Sequence, residues 1–580
     1  MDIGFESGIL TIMKTLLTTL HSKYIHASLA LPCLATYCGE ECGDIVIGEY
    51  SVNEPKEIVL AQLVEWNADV VCFSVYLWNR IATLELAKCL KLINPQQKIV
   101  LGGPEVSFED DDFFHRHPVD ALICGEGEIP LRHLLQAWQQ GREPQPIGGL
   151  RLPNGTADPG RSVLESLDDI PSPFAVGLVD FSKRLIYYES SRGCPYTCSF
   201  CMSALDEQVR SFSMARIKAD LKILMENRVG VIKFVDRTFN YNNRRSRDIF
   251  NFILENNQSS HFHFEIGAHL LDDATLELLE QVPGEMFQFE IGVQSTLPET
   301  LQSINRKVSL EQLKDNILYL KQKTNIHIHL DLIAGLPGET YPQFLESIDQ
   351  VSALGADHLQ IEPVKLLPGA PLRSQVEQWG IHYDPNPPYT ILASSDLSFA
   401  DLERLRGIGR LLDLLVNSGR FKFLLPQVID CFGQLSLFLE DLDEFWRGKN
   451  LYSQRRSLRD LYLLVDDYLL LRFQGVTLEK LRESLSRDYA HHERVVAGSL
   501  PPFFQVELGE EEQSAVRKRV KDEVEGMERS GKVQYFAAPF KHQQDFSGRK
   551  ILIFLYQTKT SVGLQVKELS FEVELESSSL

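Results

Sequence analysis

From residue 14 the chain alternates short apolar runs with longer segments whose apolar positions recur every three to four residues. The runs predict strands at 14–19, 45–48, 69–75, 98–102 and 120–124, and the longer segments predict helices at 27–38, 56–66, 81–93 and 129–138. Strands that alternate with helices pair in parallel, so residues 13–143 are expected to fold as a doubly wound sheet. Such a sheet receives ligands beyond the carboxyl ends of its strands.

Residues 144–184 hold Pro144, Pro146, Gly148, Gly149, Pro153, Gly155, Pro159, Gly160, Pro171 and Pro173, too many breakers for regular elements, and read as an ordered linker. The alternation resumes at 185, with strands expected at 185–190, 231–235, 263–267, 286–292, 326–333 and 358–362 and helical patterns such as 213–227, 273–281, 309–323 and 341–353. Six such units predict a partial (β/α)6 barrel of the TIM type over 185–375. From 376 to 580 the pattern turns to Leu-rich amphipathic helices (401–418, 457–473, 478–486, 511–530) and then a strand pair near 532–538 and 550–557, a mainly helical domain. Residues 1–12 read as a leader ahead of Met13, where the first strand begins.

The 580 residues are 44% hydrophobic and 24% charged, which suits a multidomain globular chain. A net charge of -22 disfavours nucleic acid as partner. No apolar run approaches the ~20 residues of a membrane span and no secretory signal pattern stands at the start, so a cytoplasmic location is expected. The ten cysteines lack the density of a disulfide scaffold. Cys33, Cys38 and Cys42 overlap an apolar helical pattern and read as buried thiols rather than ligands.

Cys194, Cys198 and Cys201 are different. They form a C-x3-C-x2-C triplet just after a predicted strand, bracketed by Gly193 and Pro195. Thiolates suit iron-sulfur clusters or zinc, but a structural zinc site wants four ligands and no fourth stands nearby. Three ligands fit a cluster with one open iron. Six further polar residues and a glycine fall on later barrel strands or in the loops after them, where barrel enzymes gather their reactive groups: Asp236, Glu265, Gln294, Ser295, Arg306, Asp331 and Gly335. Each has a plainer reading. Asp236 would serve as a helix cap, Glu265 as a buried ion-pair partner, Arg306 as an exposed cation and Gly335 as a turn former.

The triplet and the order of these motifs resemble the radical S-adenosylmethionine (SAM) superfamily over residues 185–372. The resemblance implies a 4Fe-4S cluster on Cys194, Cys198 and Cys201 whose open iron chelates SAM, with Phe200 against the adenine. It implies that Gln294 and Ser295 meet the methionyl and ribose groups, and that Arg306 pairs with the carboxylate. The usual Gly-Gly-Glu run after the second barrel strand is absent; Asp236 and Arg237 stand in its place. Glu265, Asp331 and Gly335 complete the implied SAM site. Reductive cleavage of SAM to methionine and a 5′-deoxyadenosyl radical is the implied chemistry.

The loops of the first sheet are weakly specific alone, but with the triplet they resemble the cobalamin-binding class of that superfamily. The first domain then becomes a Rossmann-like, flavodoxin-like cobalamin holder, with Lys23, Tyr24, His26, Ser74, Tyr76, Gly102, Gly103, Pro104, Gly125 and Gly127 implied at the cofactor. The Asp-x-His-x-x-Gly motif that supplies a cobalt-ligating histidine elsewhere is missing; His21 and His26 are better placed as polar contacts. The class implies methyl transfer to an unactivated centre of a small molecule, with flavodoxin or ferredoxin as electron donor. Ring contraction or cyclisation, RNA modification, and a non-catalytic cobalamin or iron-sulfur sensor stay open. The carboxyl-terminal third carries no chemical motif and is read as a helical cover for the barrel mouth.

Overall fold

The computed structural model describes residues 12–23, 25–110, 112–153, 155, 160–206, 208–454, 456–525, 533–543, 548–559 and 563–571. The leader expected before Met13 therefore lies, except for Ile12, outside the described residues. The chain divides into two compact units, one running to residue 357 and including 361–402, the other comprising 358–360 and the residues from 403 on.

In the first unit, strands β1 (Lys14–His21), β2 (Asp44–Ser51), β3 (Val70–Ser74), β4 (Lys98–Gly102), β5 (Ala121–Ile123) and β6 (Leu150–Arg151) form one sheet in the order β2-β1-β3-β4-β5-β6. All its pairings are parallel except β5 with β6. The doubly wound arrangement follows from burial on both faces. Leu16, Val71, Phe73, Ile99 and Leu101 pack with Val59, Leu63, Leu86 and Leu90 on one side. Leu17, Val70, Cys72, Val100 and Ile123 pack with Leu31, Leu131, Leu134 and Leu135 on the other. Cys38 and Cys42 belong to this second core, and the Cys42 thiol donates to the Cys38 carbonyl at 3.3 Å, as a buried cysteine does.

Strand β6 corrects the expectation that 144–184 holds no regular element. Leu150 is buried and pairs at the sheet edge, where neighbouring glycines and prolines are tolerated. The topology reverses at β1, which has β2 on one side and β3 on the other, so the loops leaving β1 and β3 diverge and open a crevice.

The second sheet holds β7 (Leu185–Tyr188), β10 (Val231–Phe234), β11 (His261–Ile266), β12 (Phe287–Gln294), β13 (His327–Ala334) and β14 (His358–Pro363) side by side in chain order, an open barrel of six strands. A short ribbon of β8 (Ser191–Arg192) and β9 (Arg210–Ser211) closes the cysteine segment at its base. Burial alternates along β11, β12 and β13. Phe264, Phe287 and Phe289 pack against Phe250 of the helix Asn243–Asn256, and Phe262 packs against Phe264 and Phe287. The alternate residues, including Glu265, Glu290 and Asp331, face the barrel interior, which is polar.

In the second unit the helices Leu424–Phe432, Leu435–Gly448, Leu458–Arg472, Gly475–His492 and Glu510–Glu525 bury Leu439, Leu442, Tyr462, Val465 and Leu485 among them. After the short pair β15 (His382–Tyr383) and β16 (Ile391–Ala393) of the first unit, the expected strand pair is an antiparallel sheet of three, β17 (Gln534–Phe540), β18 (Lys550–Lys559) and β19 (Gly563–Phe571). β19 escapes the periodicity because its residues stay half-exposed or exposed and it is held mainly by backbone pairing to β18. No helix among the described residues is long and apolar enough to cross a membrane.

Candidate active site

The cysteine loop is set by backbone geometry. Gly193 adopts φ +89°, and a Cβ there would sit 2.5 Å from the Gln208 carbonyl, so only glycine lets the chain turn into Cys194. The Cys194 amide donates to the Asp206 carbonyl at 3.0 Å, and the Ser199 amide to Ile304 at 2.8 Å, docking the loop on the segment that carries Arg306. Cys194, Cys198 and Cys201 all line one chamber of about 200 Å³ at the barrel mouth. Each sulfur has a polar neighbour: Thr238 Oγ1 at 3.6 Å from Cys194, Arg306 Nη1 at 3.7 Å from Cys198, and the Ser203 amide at 3.4 Å from Cys201. Among the described residues no three His, Cys, Asp or Glu side chains are placed to hold a single metal ion. The three thiols share the lining of one chamber.

Phe200, Glu265, Gln294, Arg306 and Asp331 line the same chamber. A bulge between Gly292 and Gln294 turns Gln294 inward at φ +73°. Arg306 donates through Nη2 to the Gly292 carbonyl at 2.5 Å. Gln294 Oε1, Arg306 Nε and His269 Nδ1 are buried without partners. Buried polar atoms are normally paired, so this ring fits a polar ligand with donors and acceptors of its own, as SAM has.

The chamber's charges are pushed apart. Burial and the neighbouring Glu290 raise the Glu265 carboxyl to about 7. Glu290 is held at about 2 against its burial by His263 at 2.7 Å and Lys233 at 3.1 Å. Burial also raises Asp331, opposed by His329 at 3.1 Å. His269, accepting or donating at 2.8 Å with the Tyr196 hydroxyl, is lowered to about 4 by burial and by Arg306, and is neutral at pH 7.

Three expected SAM residues are not part of the chamber's lining, each for a physical reason. Asp236 is wholly buried, and its carboxylate accepts from the Ser190 amide at 3.0 Å, the Ser190 hydroxyl at 2.6 Å and the Ser191 hydroxyl at 2.5 Å. Ser295 is buried, and its oxygen accepts from the Leu297 amide at 3.1 Å. Gly335, at φ +92°, packs against Ile391. Arg237, Tyr196 and His269 line the chamber in their stead. Their signal was faint: Arg237 and Tyr196 are loop residues beside expected ones, and His269 lies past the end of a strand.

The crevice at the switch point of the first sheet is a cavity of about 630 Å³. His26, Ser74, Tyr76, Gly102, Gly103, Pro104, Gly125 and Gly127 line it as expected. Lys23 does not: its side chain is exposed and its carbonyl closes a turn with the His26 amide. Tyr24 lies outside the described residues. Gly103, at φ +106°, sits so close to Val75 that a Cβ would lie 2.6 Å from its carbonyl.

Asn79, absent from the sequence reading, is fully buried. It donates to Leu20 and Ser74 carbonyls at 3.0 and 3.2 Å and accepts from the Tyr76 amide at 2.8 Å, tying the β1 and β3 ends together. The walls are apolar (Leu17, Leu31, Leu34, Val100, Ile123) and the rim polar. That fits a macrocycle with an amide fringe such as cobalamin.

The barrel supplies the far wall through Tyr187, Glu189, Arg192 and Val235. Tyr187 meets His26 there, hydroxyl to Nδ1, at 2.6 Å. Arg192 and Val235 stand two residues from Cys194 and Arg237 of the smaller chamber, so the same two segments wall both spaces.

Comparison with known proteins accords with this geometry. Residues 16–135 match the B12 binding domain family, 188–351 the radical SAM superfamily, and 377–544 a family described as a protein of unknown function, DUF4080. The chain thus carries a B12 binding domain followed by a radical SAM domain, and these specify cobalamin, a 4Fe-4S cluster and SAM as its cofactors.

It is 28% identical over 401 residues to the cobalamin-dependent radical SAM methyltransferase TokK of Streptomyces tokunonensis, covering 63% of this chain and 58% of that one. It is 29% identical over 332 residues to the 2-(S-pantetheinyl)-carbapenam-3-carboxylate methyltransferase of Streptantibioticus cattleyicolor, covering 53% and 48%. The chain thus spans about half the length of these relatives. Among solved structures, the cobalamin-dependent SAM radical enzyme OxsB with aqua-cobalamin bound superposes with a TM-score of 0.58 at 15% identity, over 88% of this chain and 84% of that one. At that identity the likeness establishes the fold.

Proposed function

We propose that this chain is a cobalamin-dependent radical SAM enzyme that transfers a methyl group to an unactivated centre of a small molecule. The observation that carries the reading is the shared wall: the 630 Å³ cavity and the cysteine chamber are both bounded by the segments around 187–194 and 235–237. A group held in one space lies next to the group held in the other. The relatives described as methyltransferases support transfer over other uses of the same cofactors.

When bound, the cluster supplies an electron for reductive cleavage of SAM, and cobalamin carries the methyl group. The chain's own residues bind and orient. Cys194, Cys198 and Cys201 anchor the cluster. Arg306 offers a planar fork suited to the methionyl carboxylate, and Gln294 supplies an unpaired carbonyl oxygen to an amine or hydroxyl. Glu290 is ionised, and its charge is matched by Lys233 and His263. Neutral His269 adds no competing cation. The apolar walls of the cavity exclude water. A small reduced flavodoxin or ferredoxin is the proposed electron donor.

The test is anaerobic reconstitution with iron, sulfide and cobalamin, followed by incubation with methyl-labelled SAM, reductant and candidate small molecules. Expected are 5′-deoxyadenosine and a labelled product, both lost in Cys198→Ala. Retained SAM cleavage in Cys198→Ala would refute the cluster assignment, and 5′-deoxyadenosine without label in any product would refute methyl transfer.

A further inference from the structure

We infer that Glu126 is a positioning residue that ties the base of the cysteine hairpin to the wall of the cobalamin cavity, so that cobalamin and the cluster strengthen each other's binding. The inference rests on the function proposed above. All three cysteines lie between β8 and β9, whose residues Arg192 and Arg210 face each other across the ribbon. Opposed residues of an antiparallel pair stand on one face, so two guanidinium groups are brought side by side and repel. Glu126 removes that repulsion. Its Oε2 takes Arg192 and Arg210 Nη1, each at 3.3 Å, and its Oε1 takes Arg210 Nη2.

The remaining partners complete the clamp. Arg192 also reaches Glu128 at 2.7 Å and Glu189 at 3.0 Å, and Arg210 donates to the Leu164 carbonyl at 2.8 Å. Side-chain exposure is 15% for Arg192, 10% for Arg210 and 19% for Glu126, so the charges are poorly screened. Despite its burial, the Glu126 carboxyl is held below the usual range by Arg210 and then Arg192.

Glu126 belongs to the loop Gly125–Glu128, every residue of which lines the cavity. A macrocycle that fills the cavity fixes this loop and, through Glu126, both strands of the ribbon beneath the cysteines. Binding linkage is reciprocal, so a cluster that fixes the ribbon must favour cobalamin by the same factor.

The experiment titrates hydroxocobalamin by its visible spectrum into full-length protein, once with the cluster reconstituted and once with it stripped by chelator, under anaerobic conditions. Wild type is expected to bind cobalamin about fivefold or more tightly with the cluster present, within the usual range of site coupling. Glu126→Gln is expected to bind both groups with that ratio at least halved, since the amide cannot bridge two cations and only the Arg192–Glu128 contact still joins loop and ribbon. Asp206→Asn removes a more exposed Arg210 partner at 3.4 Å and is expected to keep the wild-type ratio. If Glu126→Gln does not fold, Arg210→Lys, which keeps the charge but loses the fork, takes its place. Equal affinities in the two wild-type states, or a wild-type ratio in the Glu126 or Arg210 variant, overturn the inference. Wild type that takes up no cobalamin or assembles no cluster overturns the proposed function itself, a different and separately visible failure.

Discussion

The Asp236 carboxylate accepts a 2.6 Å hydrogen bond from the hydroxyl of Ser190, four residues before the first cysteine of the triplet. With the Ser190 amide and Ser191 hydroxyl also bound, and Arg245 at 3.7 Å, it is the buried anchor of the strand end that delivers the cysteine loop. Asp236→Asn keeps the shape but leaves Arg245 buried without its anion. A loss of about 3–5 kcal/mol is expected in denaturant unfolding, with less iron per chain after reconstitution. Unchanged stability and iron content would count against the anchoring role.

Gln294 stands at φ +73° so that its side chain points into the chamber. Glycine adopts that backbone freely, relieving about 1–2 kcal/mol of strain at a cost of about 0.5–1 kcal/mol of extra chain entropy. Gln294→Gly should therefore leave the melting temperature nearly unchanged while weakening SAM binding about tenfold, read by calorimetry on the cluster-loaded protein. An unaltered SAM affinity would remove Gln294 from the site.

Tyr389 donates a 2.9 Å hydrogen bond to Glu105, which is buried just beyond the Gly102–Pro104 turn. Burial and this carboxylate push the Tyr389 phenol up to about 12, so it remains a donor at neutral pH. Tyr389→Phe should cost about 1–3 kcal/mol by leaving a buried acceptor unpaired. A double-mutant cycle with Glu105→Gln, measured by urea unfolding, should show coupling of about 0.5–3 kcal/mol; additive effects would contradict the contact.

Glu339 is fully buried, accepts from the Ser347 hydroxyl at 2.8 Å, and is raised to about 7 by that burial. A carboxyl whose folded value lies above its unfolded one contributes stability that is complete below about pH 4.5 and is lost as the pH rises through about 7. Glu339→Gln, neutral at every pH, should gain melting temperature relative to wild type between about pH 5 and 8. A difference that stays flat over that interval would show that the carboxyl is not driven neutral by the fold.

Much of the fold was legible from its strands. Those of the first sheet, flanked on both faces by helices, read as apolar runs, those of the barrel alternate buried and polar positions, and β1 to β5 and the six barrel strands fall within a few residues of expectation. The edge strands β6 and β19 were not, since pairing by backbone leaves little trace in side-chain pattern. In the candidate site, the cysteines, Gln294 and Arg306 stood out by spacing and residue type. Asp236 and Ser295 stood out equally, and their hydrogen bonds turned them to the scaffold.

The sequence by itself determined the kind of chemistry. Three thiols at that spacing, a glycine that must turn before them and a doubly wound sheet upstream are properties of local covalent order and periodicity. Which polar groups line the chamber, and in what charge state, was decided by the tertiary structure alone, because burial and partners, not identity, separate Glu265 near 7 from Glu290 near 2. The juxtaposition of the two spaces was likewise invisible along the chain. Glu126 and Arg192 are far apart in sequence, and only the packing of the first sheet against the barrel brings carboxylate and guanidinium together at the base of the cysteine loop.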